Sequence, residues 1–212
     1  MIIHINGWPG AGKKTIGEVL SRLLGARFIH NHLLHDVAIV CAGLIGERRW
    51  ELYERVREAA YTALASQPAS EIFVMTNALC ADTPREELAW KHVVELAMQR
   101  GAPLVPVVME LCLEENIRRI QSPQRAGKKE TDPEAVKQWR LHHSLQYPNV
   151  SELIVVEVSD LNPEEASHAI IARLDRLRPS LQPATAQHLQ LNSSPKTKAL
   201  LDLPADRFAE KH

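Results

Sequence analysis

The sequence predicts an α/β protein with a parallel sheet. Short β-branched runs alternate with longer segments of helical periodicity, and strands separated by helices pair in parallel. A glycine-rich segment, GWPGAGKKT at 7–15, lies between the first such strand and the first such helix. Composition then changes after Arg178, where Pro, Ser, Gln and Thr replace core-forming residues. A folded unit over 1–178 and a polar linker and C-terminal tail over 179–212 are therefore expected. The last stretch, ALLDLPADRFAEKH, suits docking on the body or on a second subunit.

The elements follow in order. Residues 1–6 (MIIHIN) read as a buried strand ending at Gly7. Residues 15–24 carry Ile16, Val19, Leu20, Leu23 and Leu24 at helical spacing, and Gly25 ends that helix. A second strand is predicted over 26–30 (ARFIH). A helix over 33–45 places Leu33, Val37, Val40 and Leu44 on one stripe, and a longer helix over 47–66 turns Leu52, Val56, Ala60 and Ala63 inward. The third strand is expected at 71–76 (EIFVMT), followed by a helix over 84–100 with Pro84 in its first turn and Thr83 or Asp82 as cap. The fourth strand, 103–109, contains Pro106, which predicts an irregularity because proline cannot donate to the ladder. A short helix at 113–120, a basic loop at 122–132 and a helix at 133–146 follow. The fifth strand is 153–158, and the last helix is 163–177 with Asn162 as cap.

Bulk properties narrow the function classes. The chain has 212 residues, 45% hydrophobic and 24% charged, enough for one sizeable core. A net charge of -1 gives no sign of a nucleic-acid or anionic-membrane partner, so any basic site is local. Cys41, Cys80 and Cys112 are in no metal-ligand spacing and read as reduced, mostly buried thiols. The apolar opening is short for a leader and lacks a preceding basic region, and the run 37–45 is short for a membrane span. A cytoplasmic protein, monomeric or homodimeric, is expected.

The segment at 7–15 carries chemistry. Gly7, Gly12 and Lys13 fit the phosphate-loop pattern G-x-x-x-x-G-K, but Lys14 occupies the position of the usual hydroxyl and Thr15 follows one residue late. Glycines let a chain turn its N–H groups onto a phosphate, the next helix points its positive end at the anion, and the lysine adds a full charge. A glycine-rich turn without a ligand is the bland alternative. GWPGAGKKT resembles the adenylate-kinase-style loop G-x-P-G-x-G-K-x-T, in which the hydroxyl is likewise displaced by one. That resemblance implies ATP and Mg2+ as cofactors, with Gly7, Pro9, Gly10, Ala11, Gly12, Lys13, Lys14 and Thr15 at the phosphates and Thr15 on the metal side. GTP is the alternative donor.

The run EENIRRIQSPQRAGKKETDP, 114–133, resembles the lid of small P-loop kinases of the gluconate-kinase-like, shikimate-kinase-like and chloramphenicol-phosphotransferase-like set. By position Arg119 and Arg125 match the lid arginines, within a lid at about 118–132, and Arg118, Lys128 and Lys129 are helpers. Planar guanidinium forks stabilise charge spreading over a moving phosphoryl group. A solvated basic loop is the bland alternative. The resemblance covers residues 1–177 and implies the three-layer P-loop NTPase fold. That fold has a five-stranded parallel sheet of order 2-3-1-4-5, helices on both faces and a lid.

The resemblance also implies a small-molecule acceptor over the ends of strands two and three. Those ends offer His30, Asn31 and His32, then Asp36, and Thr76 and Asn77. Arg49 comes from the next helix. Neither strand ends in the Asp that such proteins use for metal or base, so His32 and Asp36 are the candidate bases. Structural roles for the histidines and a surface role for Asp36 compete with this. Trp8 is expected to shield the phosphates or to pack on a neighbour.

The expected activity is transfer of the γ-phosphoryl of Mg-ATP to a hydroxyl of a small metabolite or antibiotic. The catalytic set would be Lys13, Arg119, Arg125, His32 and Asp36, with His30, Asn31, His32, Arg49 and Asn77 binding the acceptor. A nucleoside or nucleotide kinase, a nucleotide-binding switch or ATPase without a small acceptor, and a toxin-like kinase acting on nucleotide sugars are the alternatives.

Overall fold

The computed structural model describes residues 1–44, 46–123 and 131–191. Its elements are β1 (Ile2–Gly7), α1 (Lys13–Leu24), β2 (Arg27–His30), α2 (His32–Ala42), α3 (Glu47–Ala65), β3 (Phe73–Thr76) and α4 (Pro84–Gln99). Then come β4 (Leu104–Glu110), α5 (Leu113–Ile120), α6 (Pro133–His142), β5 (Ile154–Glu157) and α7 (Pro163–Leu177). The strands form one parallel sheet in the order β2-β3-β1-β4-β5, as expected.

Alternation along β1 builds two layers of core. Ile3 and Ile5 pack with Ile16 and Leu20 of α1 and with Ile170 and Leu174 of α7. Ile2 faces the other way, into Phe73, Leu104, and Trp90, Val93 and Val94 of α4. Burying each such side chain stabilises the fold by about 1.5–3 kcal/mol. Helix α1 lies close to the sheet because Gly17 has no side chain: a Cβ there would stand 2.4 Å from the Phe28 ring. Helix α7 starts at a full capping box, with Asn162 accepting from the Glu165 N–H at 3.0 Å and Glu165 accepting from the Asn162 N–H at 2.9 Å.

Several expectations are corrected. The stripe Leu33, Val37, Val40 and Leu44 faces outward, with Val40 85% exposed. Leu34 and Ala38 are buried instead, in a small cluster with Tyr53 of α3. Helix α2 is apolar nearly all round, so periodicity allowed either face to turn in. On α3, Leu52, Val56 and Ala60 are half-buried against that cluster, as expected, and Tyr53 and Arg57 are buried, while Ala63 is exposed.

Pro106 causes no break: β4 stays in continuous register with β1 from Leu104 to Met109. β5 pairs only from Val107 onward, so β4 has a neighbour on one side alone at Pro106. Thr83 makes no side-chain cap to α4, and Asp82 is engaged with His143 at 2.9 Å. Helix α6 stops at His142 because the following residues are drawn along the top of the sheet. There Cys80 bridges Leu145, and the Asn6 amide donates to the carbonyls of Leu79 (2.9 Å) and Gln146 (3.2 Å). Of the cysteines only Cys80 is buried; Cys41 and Cys112 are exposed.

The polar segment after Arg178 is not a free linker up to Leu191. The Ala184 N–H donates to Ala102 O at 3.0 Å, and the Asn149 N–H to Gln190 O at 2.9 Å. Trp90 Nε1 donates to the carbonyl of His188 at 2.8 Å, and His188 is buried. This strap satisfies the indole N–H, which is why a bulky Trp can sit fully inside the core. Residues 192–212 lie outside the described residues.

Candidate nucleotide and acceptor site

The loop between β1 and α1 is shaped by glycine where no other residue fits. Gly10 and Gly12 have φ of 91° and 88°, the left-handed region. A Cβ on Gly10 would come within 2.6 Å of Ile120 Cγ2 and 2.7 Å of Asn116 Nδ2, and one on Gly7 within 2.9 Å of the Met109 carbonyl oxygen. The first turn of α1 has no side-chain cap and no acidic residue. Its N–H groups and positive dipole end thus suit an anion. Lys13 Nζ donates to the carbonyls of Gly7 (2.6 Å) and Trp8 (2.9 Å), which holds the ammonium within the loop.

Three side chains from later in the chain clamp the loop. Asn116 of α5 donates from Nδ2 to Pro9 O at 2.7 Å. Arg140 of α6 donates to Asn116 Oδ1 at 3.1 Å and to Leu111 O at 3.0 Å, with its guanidinium 5.2 Å from the Trp8 ring centroid. Arg119 donates to Ala11 O (3.3 Å), Val158 O (2.6 Å) and Ser159 O (3.0 Å), and its Nε to Glu115 (2.5 Å). Arg119 therefore bridges the phosphate loop and the turn after β5. Trp8 packs inward, edge-on to Trp139 with ring centroids 6.3 Å apart.

The loop opens onto a cleft of about 790 Å³. One wall is Pro9, Gly10, Gly12, Lys13, Lys14 and Thr15; the other is His30, Asn31 and His32 with Thr76, Asn77 and Ala78. Arg118, Arg119 and Ser122 close one side. Gly7 and Ala11 are buried behind the loop. The sheet order explains the geometry: β3 lies beside β1 and β2 beside β3, all parallel, so their C-terminal ends are on the same edge of the sheet as the loop.

No protein-family model matches the sequence, and no curated protein does. Solved structures do match. A gluconokinase from Sinorhizobium meliloti 1021 is 21% identical, with a TM-score of 0.57 over 84% of this chain and 93% of that one. A shikimate kinase from Acinetobacter baumannii, in complex with shikimate, is 16% identical with a TM-score of 0.51, over 82% and 93% of the two chains. A tunicamycin resistance protein from Deinococcus radiodurans is 15% identical with a TM-score of 0.53, over 82% and 94%. The chain has the P-loop kinase fold.

Within this P-loop kinase fold the expected site residues do not all meet. Asp36 is exposed on α2 and Arg49 stacks 4.4 Å from the Trp50 centroid while donating to the Leu44 carbonyl; neither is in the cleft lining. Asn31 lines the cleft, but its Oδ1 accepts from Tyr53 OH at 2.9 Å. Arg118 is on the rim, paired with Glu115 at 2.6 Å through two of its nitrogens. Hydrogen bonds from Arg118, then from Arg119, hold the Glu115 carboxyl down at about 2. Lys14 pairs with Glu18 at 3.8 Å on the α1 surface. Arg125, Lys128 and Lys129 lie outside the described residues.

The loop fits a polyphosphate, since its glycines, its uncapped helix end and Lys13 present only donors and positive charge. A metal fits less fully. Thr15 is exposed to the cleft, but among the described residues no group of three or more His, Cys, Asp or Glu side chains could hold an ion. Among the described residues no helix is long and apolar enough to cross a membrane.

Four residues that place the site were missed from the sequence: His4, Asn6, Asn116 and Arg140. Each acts across 73 or more residues or through a helix whose polar face read as solvent, apart from the nearer link between Arg140 and Asn116. A signal existed only for β1, where His and Asn interrupt an apolar strand. Burial pushes the His4 imidazole down to about 4. His35, stacked on Tyr53 with centroids 3.9 Å apart, is pushed down to about 4 by burial and then by His32 and Arg49.

Proposed function

We propose that the protein is a phosphotransferase that moves the γ-phosphoryl of Mg-ATP to a hydroxyl of a small metabolite or antibiotic. The supporting observation is one cleft shared by two walls: the Lys13 loop on one side and His30, Asn31, His32 and Asn77 on the other. Its volume, about 790 Å³, is within the usual range for small-molecule sites. Two of the similar structures carry the names of small-metabolite kinases and one that of an antibiotic resistance protein.

Bound Mg-ATP would supply the electrophilic phosphoryl group. The loop N–H groups and Lys13 would hold its phosphates, and Thr15 would give the metal one hydroxyl. Arg118, and Arg125 from the lid, would neutralise charge on the transferring group. Arg119 would set the loop against the turn after β5. His32 is the cleft histidine proposed to accept the hydroxyl proton, since imidazole titrates near neutrality.

A second reading, a nucleotide-dependent switch or ATPase without a small acceptor, is favoured by one observation: β3 ends in Thr76, followed by Asn77, without a carboxylate. The adenylate-kinase-style loop favours a nucleoside or nucleotide as the alternative acceptor. ADP formation from Mg-ATP separates these. It is measured alone and with pools of sugar acids, other polyols, aminoglycoside- and chloramphenicol-type compounds, nucleosides and nucleotides. A pool-dependent rate that Lys13→Ala abolishes supports transfer, and dividing the pool names the acceptor. Tight nucleotide binding with no pool effect would overturn it in favour of the switch.

A further inference from the structure

The buried hydrogen bond between β1 and the end of β3 reaches the cleft. His4 lies in the middle of the sheet, beside Met75 of β3 and Pro106 of β4, and is 1% exposed. Its Nε2 is 3.0 Å from Asn77 Oδ1, and its ring packs 5.3 Å from the Trp90 ring. The Asn77 main chain is also fixed, with its N–H donating to Ile5 O at 3.0 Å. Asn77 nonetheless lines the cleft, beside Lys13 and Thr15.

A neutral imidazole has one N–H, and an amide oxygen only accepts. With Asn77 Oδ1 against the ring, the proton must sit on His4 Nε2. The other arm of the amide, Nδ2, makes no hydrogen bond among the described residues. Beside the ring is a cavity of about 10 Å³, lined by His4 and Gln146, and Gln146 Nε2 is a buried donor without a partner. An unpartnered donor there suits an imidazole whose second nitrogen is bare.

We infer that His4 is a positioning residue that turns the Asn77 amide so that its NH2 group faces the cleft as a donor to an oxygen of the acceptor. This rests on the phosphotransferase reading. An Asn on a loop end would otherwise rotate between donor and acceptor; a buried donor behind it selects one orientation, which favours acceptors with an oxygen at that point. The reverse tautomer, Nδ1–H, would turn the amide oxygen to the cleft and select a donor instead.

The test has two arms on the full chain. Long-range proton–nitrogen correlation on 15N-labelled protein reads the His4 tautomer directly, without a variant. The expected result is neutral Nε2–H from pH 8 to 5.5; an Nδ1–H tautomer, or protonation in that range, overturns the inference. The second arm uses whichever pool the wild type phosphorylates. His4→Phe keeps an aromatic ring without the donor, and His4→Gln restores an N–H near the Nε2 position. The acceptor KM should rise about tenfold or more in His4→Phe and in Asn77→Ala, with the KM for ATP unchanged, and return to within about threefold in His4→Gln. An unchanged acceptor KM in His4→Phe, or loss of stability alone, overturns it. If the wild type phosphorylates no pool, the phosphotransferase reading fails, and the tautomer still decides which amide group faces the cleft.

Discussion

Asn116 donates to the carbonyl oxygen of Pro9 at 2.7 Å and so ties α5 to the phosphate loop. The same side chain is fully buried and accepts from Arg140 at 3.1 Å. Asn116→Leu keeps the volume but leaves a loop carbonyl and a guanidinium arm unpaired. It should lower stability by about 1–3 kcal/mol in urea unfolding. It should also weaken binding of a fluorescent ATP analogue, because the loop loses the clamp that fixes Gly10. Unchanged affinity in a folded variant would show that the glycines alone shape the loop.

Two histidines held away from water, His4 buried and His35 half-buried, set an acid limit. Burial lowers both His4 and His35 to about 4. In the unfolded chain each binds its proton near pH 6.5. As pH falls, the unfolded state takes up protons first. The stability present above about 6.5 is therefore lost progressively down to about 4. For His4 the loss over that whole window is on the order of 3 kcal/mol. His4 is faced by Asn77, Trp90 and Lys13, and His35 by His32, Asp36, Arg49, Trp50 and Tyr53. Glu115 acts in a lower window, since its depressed carboxyl protonates only near pH 2. Urea midpoints at pH 7, 5.5 and 4.5 should fall in that order, and His35→Phe should flatten the slope. A midpoint flat from 7 to 4.5 contradicts the neutral, buried assignment.

How much the sequence disclosed depended on the range of the interaction. The loop was legible because its chemistry is local: three glycines, a lysine and the strand and helix on either side. The sheet order came from the resemblance that loop supports, and the capping of α7 from the Asn162–Pro163 start. Asn116 was not legible, since helical spacing put it among Glu114, Glu115, Arg118 and Arg119, where a polar residue reads as solvent-facing. Arg119 was legible by position, but its four hydrogen bonds to Glu115 and three main-chain carbonyls give it a clamping role that no spacing carries. The face of α2 could not be read because the helix packs on one side only, along α3 through Leu34 and Ala38, leaving Leu33, Val37, Val40 and Leu44 outside.

That last point predicts opposite outcomes for neighbouring substitutions on α2. Val40 is 85% exposed, whereas Leu34 packs against Tyr53 and Ala38. Val40→Glu should change stability by less than about 0.5 kcal/mol, and Leu34→Ala should cost about 2 kcal/mol or more. Thermal melts of both variants suffice. A large loss for Val40→Glu would mean that the stripe Leu33, Val37, Val40 and Leu44 is covered in solution, as the helical periodicity alone had implied.

The strap from Ala184 to Leu191 should be structural. Its His188 carbonyl is the partner of the Trp90 indole, and Trp90 is 2% exposed beside His4. Ending the chain after Arg178 removes that acceptor and uncovers the ring. A buried N–H without a partner and the newly exposed aromatic surface each cost about 1–3 kcal/mol. The truncated chain should melt well below the full chain, with Trp fluorescence shifted to the red. Trp90→Phe in the full chain isolates the hydrogen bond: it orphans the His188 carbonyl while keeping a ring in the core, and should lose roughly 1–2 kcal/mol. If truncation after Arg178 leaves the melting temperature and the fluorescence unchanged, the segment is the solvated linker that its composition suggested, and α4 holds Trp90 without it.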